Sequence, residues 1–250
     1  MICKLCTLEK HLLKKSHIIS NFMYREIFDK NSLITYSINQ KYDKKHFSSG
    51  IYESNILCRE CDNEIIGKIE TYAANALYYN NFSVDKKIKC KTKIHPNGTE
   101  IRIVTNIDYN KFKLFLLSIL WRASISSHPF FNEITLSKEH EKTIREYLLN
   151  ENNIPENIYR INLCFCKEPP SNLITNSILN PFRIGNKTET YYYVFYIARM
   201  FYLIEIKKKN IEYDFFYNGN IKQNNSIEIP IVDENFVKII FQKVFNNKDL

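Results

Sequence analysis

The sequence predicts an α+β protein, with a small metal-stapled N-terminal domain followed by a mixed α/β domain carrying antiparallel strands. Three observations carry this reading. Cys3-x2-Cys6 and Cys58-x2-Cys61 form two knuckles 51 residues apart. Apolar residues recur at helical spacing over 62–79, 109–126 and 137–150. From about residue 158 onward, runs of β-branched and aromatic residues at Tyr159–Cys166 and Thr190–Lys207 read as strands. The 250 residues allow two small domains, placed at 1–80 and 81–250 with the boundary anywhere between 80 and 108.

Each element has its local reason. Ile18-Ile19 after the polar pair Ser16-His17 suits the end of a strand, and residues 21–28 suit a helical turn. Residues 29–54 are polar and irregular, a long loop with room for a strand at Leu33–Ile38. Residues 55–61 predict a strand running into the second knuckle. Asp62 then stands as N-cap of a helix over 62–79, which Gly67 weakens slightly. Pro96-Asn97-Gly98 predicts the turn of a hairpin within 83–107. Residues 109–126 are the strongest helix, and Ser137 with Glu139 opens the next. Thr190–Lys207 predicts two strands broken near Ala198-Arg199. Residues 218–225 predict a surface loop, and Asp233–Phe245 a last helix.

Composition narrows the function classes. With 5 glycines and neither GxGxxG nor GxxxxGK[ST], a Rossmann or P-loop nucleotide site has no support. The formal charge is +8, and most of it falls on residues 1–95, where 16 Lys/Arg face 10 Asp/Glu. Such an excess steers polyanions toward that part of the chain, although an AT-rich genome also favours Lys codons. The longest apolar runs are interrupted by Lys113, Arg199 and Glu205, so no membrane span is expected. A cysteine already at position 3 leaves no leader pattern, and a cytoplasmic location with reduced thiols follows.

Two CxxC knuckles in a reducing compartment point to a structural zinc ion held by Cys3, Cys6, Cys58 and Cys61. A redox-active pair would need a βαβ setting that the pattern lacks. Cys164 and Cys166, two apart on a strand, face the same way, and with Cys90 they read as interior apolar residues.

Between and after the knuckles stand Ser16-His17-Ile18-Ile19 and Asn55-x2-Cys58-x2-Cys61-Asp62-Asn63. This order resembles the zinc-containing HNH endonuclease family over roughly residues 3–70. The wider chain is similar to bacterial HNH-like proteins with an SHII segment, an LCxxCDN knuckle (Leu57–Asn63) and an LSILWRASIS helix (Leu117–Ser126). The resemblance implies a ββα-metal fold and metal-dependent hydrolysis of nucleic-acid phosphodiesters, with DNA the expected substrate. In that scheme His17 is the general base, Asn55 orients its ring, and Mg²⁺ or Mn²⁺ stabilises the reacting phosphate. Small nucleases of this kind commonly serve mobile elements or defence against phage.

The chain departs from the family pattern at two positions. Ser16 stands where an acid usually precedes the histidine, and Asp62 where a histidine usually follows the last cysteine. The catalytic metal would then fall to Asp62, Asn63 and Ser16. Each residue also has a plainer reading: His17 a core histidine, Asn55 a turn residue, Asp62 an N-cap. Lys14, Lys15, Arg59 and Lys68 either contact phosphate or form a solvated face, and Glu64 and Glu70 read as helix surface. His11 and His46 are further residues that loops could bring to the site. The competing function is a catalytically degenerate HNH-fold zinc module that binds nucleic acid or a partner protein without cleavage. A structural subunit with an apolar patch over 190–206 is a third.

Overall fold

A computed structural model of the chain describes residues 1–24, 27, 50–77, 88–96, 98–167, 178–185, 190–207, 221–233 and 235, together with the backbone of 33–37 and 43–47. The molecule is α+β, with mixed and mostly antiparallel sheets. Among the described residues no helix is long and apolar enough to cross a membrane.

The N-terminal part is an antiparallel ladder that runs into a helix. β1 (Ser16–His17) pairs with β4 (Tyr52–Glu53), Ser16 opposite Glu53 and His17 opposite Tyr52. Pairing continues on both sides: Ile18 N–H donates to the Ile51 carbonyl, Leu13 N–H to that of Leu57, and Leu12 bridges Cys58. Asn55 interrupts the ladder in the left-handed region at φ 59°, which asparagine tolerates better than most residues. Residues 55–61 are therefore not the continuous strand expected. Asp62 is not an N-cap either. Helical winding starts inside the knuckle with a π-helical stretch, Glu60–Ile66, and continues as α1 (Gly67–Leu77). The Asp62 N–H is already bonded to the Cys58 carbonyl at 3.0 Å.

The hairpin expected around Pro96–Gly98 is present as β5 (Lys89–Ile94) and β6 (Glu100–Thr105), with Gly98 at φ 85°. β5 is exposed along its length, so Cys90 lies on the surface and not in the interior as expected. α2 (Tyr109–Ile125) follows, its Asp108 cap accepting the Lys111 N–H. Every residue from Phe112 to Ala123 is buried, because α2 is packed on several sides, with α1 and α3 (Lys138–Asn150) among its neighbours. α3 is amphipathic, is opened by the expected Ser137 cap, and turns Ile144 and Leu148 inward.

The large sheet adds β2 (Leu33–Ser37), β3 (Asp43–Phe47), β7 (Ile161–Cys166), β8 (Ile178–Leu179), β9 (Phe182–Gly185), β10 (Thr190–Ile197), β11 (Met200–Lys207), β12 (Ile221–Lys222) and β13 (Ser226–Val232). Its order is β3-β2-β8-β10-β11-β7-β13-β6-β5, with β9 on β10 and β12 on β13. The break expected at Ala198-Arg199 is a two-residue hairpin turn with φ 49° and 68°. Both faces of the sheet centre are covered, and alternate residues sort between two clusters. Tyr191, Tyr193, Phe195 and Ile197 face the helices, while Tyr192, Val194 and Tyr196 face the cluster holding Cys164 and Cys166. This burial leaves no apolar patch on 191–206.

β3, β8, β9 and β13 were not expected. β8 is two residues long, and β13 contains Pro230, a residue that argues against a strand. Pro230 falls where β13 changes partner, pairing with β6 up to that residue and parallel to β7 from Ile231. Ile221–Lys222, expected as loop, pairs with β13. The expected C-terminal helix lies almost wholly outside the described residues.

Candidate metal centre and the His17 cluster

The two knuckles meet. The ligand sulfurs of Cys3, Cys6, Cys58 and Cys61 all lie within 4.8 Å of one another. Four thiolates about 2.3 Å from a central ion form a tetrahedron with edges of roughly 3.8 Å, so the group is of the right size to hold a metal ion. The local hydrogen bonding suits thiolates. Burial pushes the Cys3 thiol up, but N–H groups of Cys58, Cys6 and Leu5 more than offset this and bring it to about 7. The Cys58 N–H donates to Cys3 Sγ at 3.3 Å. Burial instead raises Cys58 to about 11 and raises Cys61 further, and the neighbouring Cys3 thiol adds to both rises. A bound cation would reverse that balance.

Beside this centre lies a second cluster. The ladder places His17 at the end of β1, and the π-helical stretch delivers Asp62 close enough for the two to interact electrostatically. Burial lowers the His17 pKa, helped by the Arg122 and Lys15 charges and opposed by Glu70 and Asp62. Its imidazole is therefore neutral at neutral pH. Burial raises the Asp62 carboxyl, as does Glu70, while Arg122, Ser16 and His17 pull it down. Ser16 itself is fully buried, and its hydroxyl has no partner at good hydrogen-bonding geometry.

The fixed point of the cluster is Arg122, which is 1% exposed. It pairs with Glu70 at 2.8 Å and donates to the His17 carbonyl at 2.6 Å. Ser20 Oγ donates to the same Glu70 oxygen at 2.6 Å. Glu70 is thus not the free surface carboxylate its helix position suggested. Sequence reasoning also passed over Arg122, whose partners outside its own helix (Glu70, Ser20 and the His17 carbonyl) are 52 to 105 positions away and leave no local pattern. Two more residues shape the cluster. A Cβ on Gly50 would strike the Tyr24 ring and come within 3.2 Å of His17, so only glycine permits this close approach. Glu53, opposite Ser16, accepts hydrogen bonds from Ser126, Ser127 and His128 and clamps β4 to the end of α2.

The remaining expected residues are dispersed. Asn55 is exposed, and its N–H bonds the Leu13 carbonyl, four positions along the ladder from His17. Asn63 is exposed, and Lys68 is paired with Glu151 at 2.8 Å. Lys14, Lys15 and Arg59 are exposed, with the Lys15 ammonium 4.8 Å from the Tyr52 ring centre. His11 is exposed, and the side chain of His46 lies outside the described residues. Apart from the four cysteines, no three His, Cys, Asp or Glu side chains among the described residues converge on one point. Of the expected catalytic-metal residues, Ser16 is buried, Asp62 is half-buried and Asn63 is exposed.

A scan of protein-family models finds no match to this chain, and neither the curated proteins nor the solved structures contain one that matches it.

Proposed function

We propose that the chain is a metal-dependent HNH-type endonuclease that hydrolyses nucleic-acid phosphodiesters, DNA foremost, around His17, on a framework stapled by zinc. One observation carries the reading: the four-cysteine group and the ladder bring His17 and Asp62, 45 positions apart in sequence, into one half-buried polar cluster. Zinc suits four clustered thiols, since thiolate is its preferred structural ligand.

The chemistry follows from the residues. A neutral imidazole removes a proton from an attacking water, and general-base assistance of this kind contributes about 10²–10⁴-fold. The Arg122 guanidinium grips the His17 carbonyl and fixes the backbone that carries the ring. Of the two carboxylates in the cluster, Glu70 is held by Arg122, whereas Asp62 has no ion pair among the described residues. Magnesium is commonly held by one or two carboxylates, waters and substrate phosphates, and Asp62 meets that minimum. Such an ion, when bound, would stabilise the charge that develops on the phosphate. The scheme assigns Asn55 no step, since its N–H bonds the Leu13 carbonyl, four ladder positions from His17.

Supercoiled plasmid incubated with the protein in Mg²⁺ or Mn²⁺ should be nicked, and EDTA should prevent it. If no form of DNA or RNA is cleaved in either metal, the nuclease reading fails. The binding-module reading, favoured by Ser16 in place of an acid and by Glu70 being held in an ion pair, would then take its place.

A further inference from the structure

A cavity of about 370 Å³ lies between the first knuckle, α2 and α3. Lys4 of the knuckle and Lys138, Lys142 and Arg145 of α3 line it, with Trp121 and Glu141. The three α3 cations sit at i, i+4 and i+7, one face of the helix. Glu141 accepts a hydrogen bond from Ser124 at 3.0 Å. The Lys142 ammonium has only a loose pairing with Glu146 at 3.9 Å, and Lys4 and Lys138 have no ion pair among the described residues. Four cations therefore meet one acid around a concave space. Like charges this close repel, and the arrangement is relieved when an anion enters.

The placement is built. Arg145 donates to the Leu5 carbonyl at 3.1 Å, which ties α3 to the loop between Cys3 and Cys6. Trp121 is the residue before Arg122 on α2, so the cavity and the His17 cluster lie around adjacent positions of one helix. We infer that this cavity seats a backbone phosphate of the nucleic acid and positions the strand on the enzyme. The identity of the polyanion rests on the nuclease reading; the cavity itself does not. The phosphate contacts thus differ from the set expected around Lys14, Lys15, Arg59 and Lys68.

The test is binding of a fluorescein-labelled DNA duplex by full-length, zinc-loaded protein carrying His17→Ala, so that cleavage does not intervene. Lys138→Gln with Lys142→Gln should weaken binding about tenfold and flatten the slope of log K against log salt by up to about 0.9, the share of the one phosphate seated there. The same charge removed on the exposed strand β5, as Lys91→Gln with Lys93→Gln, should leave both nearly unchanged. Unchanged binding in the α3 pair, or equal weakening in the β5 pair, overturns the assignment. So does inorganic phosphate that binds these lysines tightly while the duplex ignores them. If the α3 pair binds normally while His17→Ala abolishes nicking, the cavity falls and the nuclease stands. If nothing nicks but the α3 pair loses the duplex, the nuclease falls and the cavity stands.

Discussion

Arg122 lies within α2, buried throughout Phe112–Ala123, and five polar contacts satisfy its guanidinium: Glu70, the His17 carbonyl, Ser20 and both oxygens of Ser118. Removing one partner of a buried ion pair leaves the other charge uncompensated, at about 3–5 kcal/mol. Arg122→Met is expected to lose that much stability in urea unfolding, and Arg122→Met with Glu70→Leu to recover a large part. A single substitution that costs under about 1 kcal/mol would mean that the pair does not hold the cluster. At this scale the sequence showed the cysteines and His17, whose types and spacing carry chemistry locally. It hid Arg122 and Glu70, because an arginine inside an apolar run and a glutamate on a helix acquire meaning only from distant partners.

Among the elements, α2 shows both what a pattern reveals and what it conceals. Its length and its apolar character were legible, yet Lys113 is buried in it with its ammonium bonded to the Tyr109 hydroxyl and the Pro155 carbonyl. Burial drives the Lys113 pKa down from 10.5 to about 7, against the pull of Glu156 and Glu205. The unfolded chain then binds more protons than the native one between those two values, so stability rises with pH across that window. The slope approaches about 1.4 kcal/mol per pH unit at most. Lys113→Met should remove this rise between pH 7 and 9; a rise that persists undiminished would assign it to other groups. The strands divide in the same way. Tyr159–Cys166 and the β10–β11 hairpin announce themselves by dense β-formers, whereas β13 is masked by Pro230 and β8 by its two-residue length. The spacing of Asn55 from Cys58 fits a motif, but nothing in it foretold that this backbone makes a left-handed kink in the ladder.

For the whole molecule, the cluster of buried apolar side chains that contains Cys3, Cys58 and Cys61 also contains Phe115, Ile144 and Tyr193. Removal of a metal ion held by the four cysteines would therefore be felt well beyond the knuckles. Cys58→Ser is expected to abolish stoichiometric zinc by elemental analysis and to lower the thermal midpoint of the entire cooperative transition. Full stability with no metal bound would remove the staple. The α+β class was legible because two kinds of periodicity follow one another along the chain, but the order of strands in the sheet was not, since the pairings of β2 with β8 and of β13 with β6 and β7 join segments that no local spacing links. The central claim is the role of His17, and the most direct measurement is the metal-dependent plasmid-nicking rate of wild type and His17→Ala from pH 5 to 8, with zinc content and fold verified in both. The variant is expected to lose about 10²–10⁴-fold in rate. The wild-type acid limb is expected to fall below pH 6.5, since burial lowers the imidazole pKa and only the neutral ring accepts a proton. A His17→Ala protein that nicks at the wild-type rate would contradict the assignment.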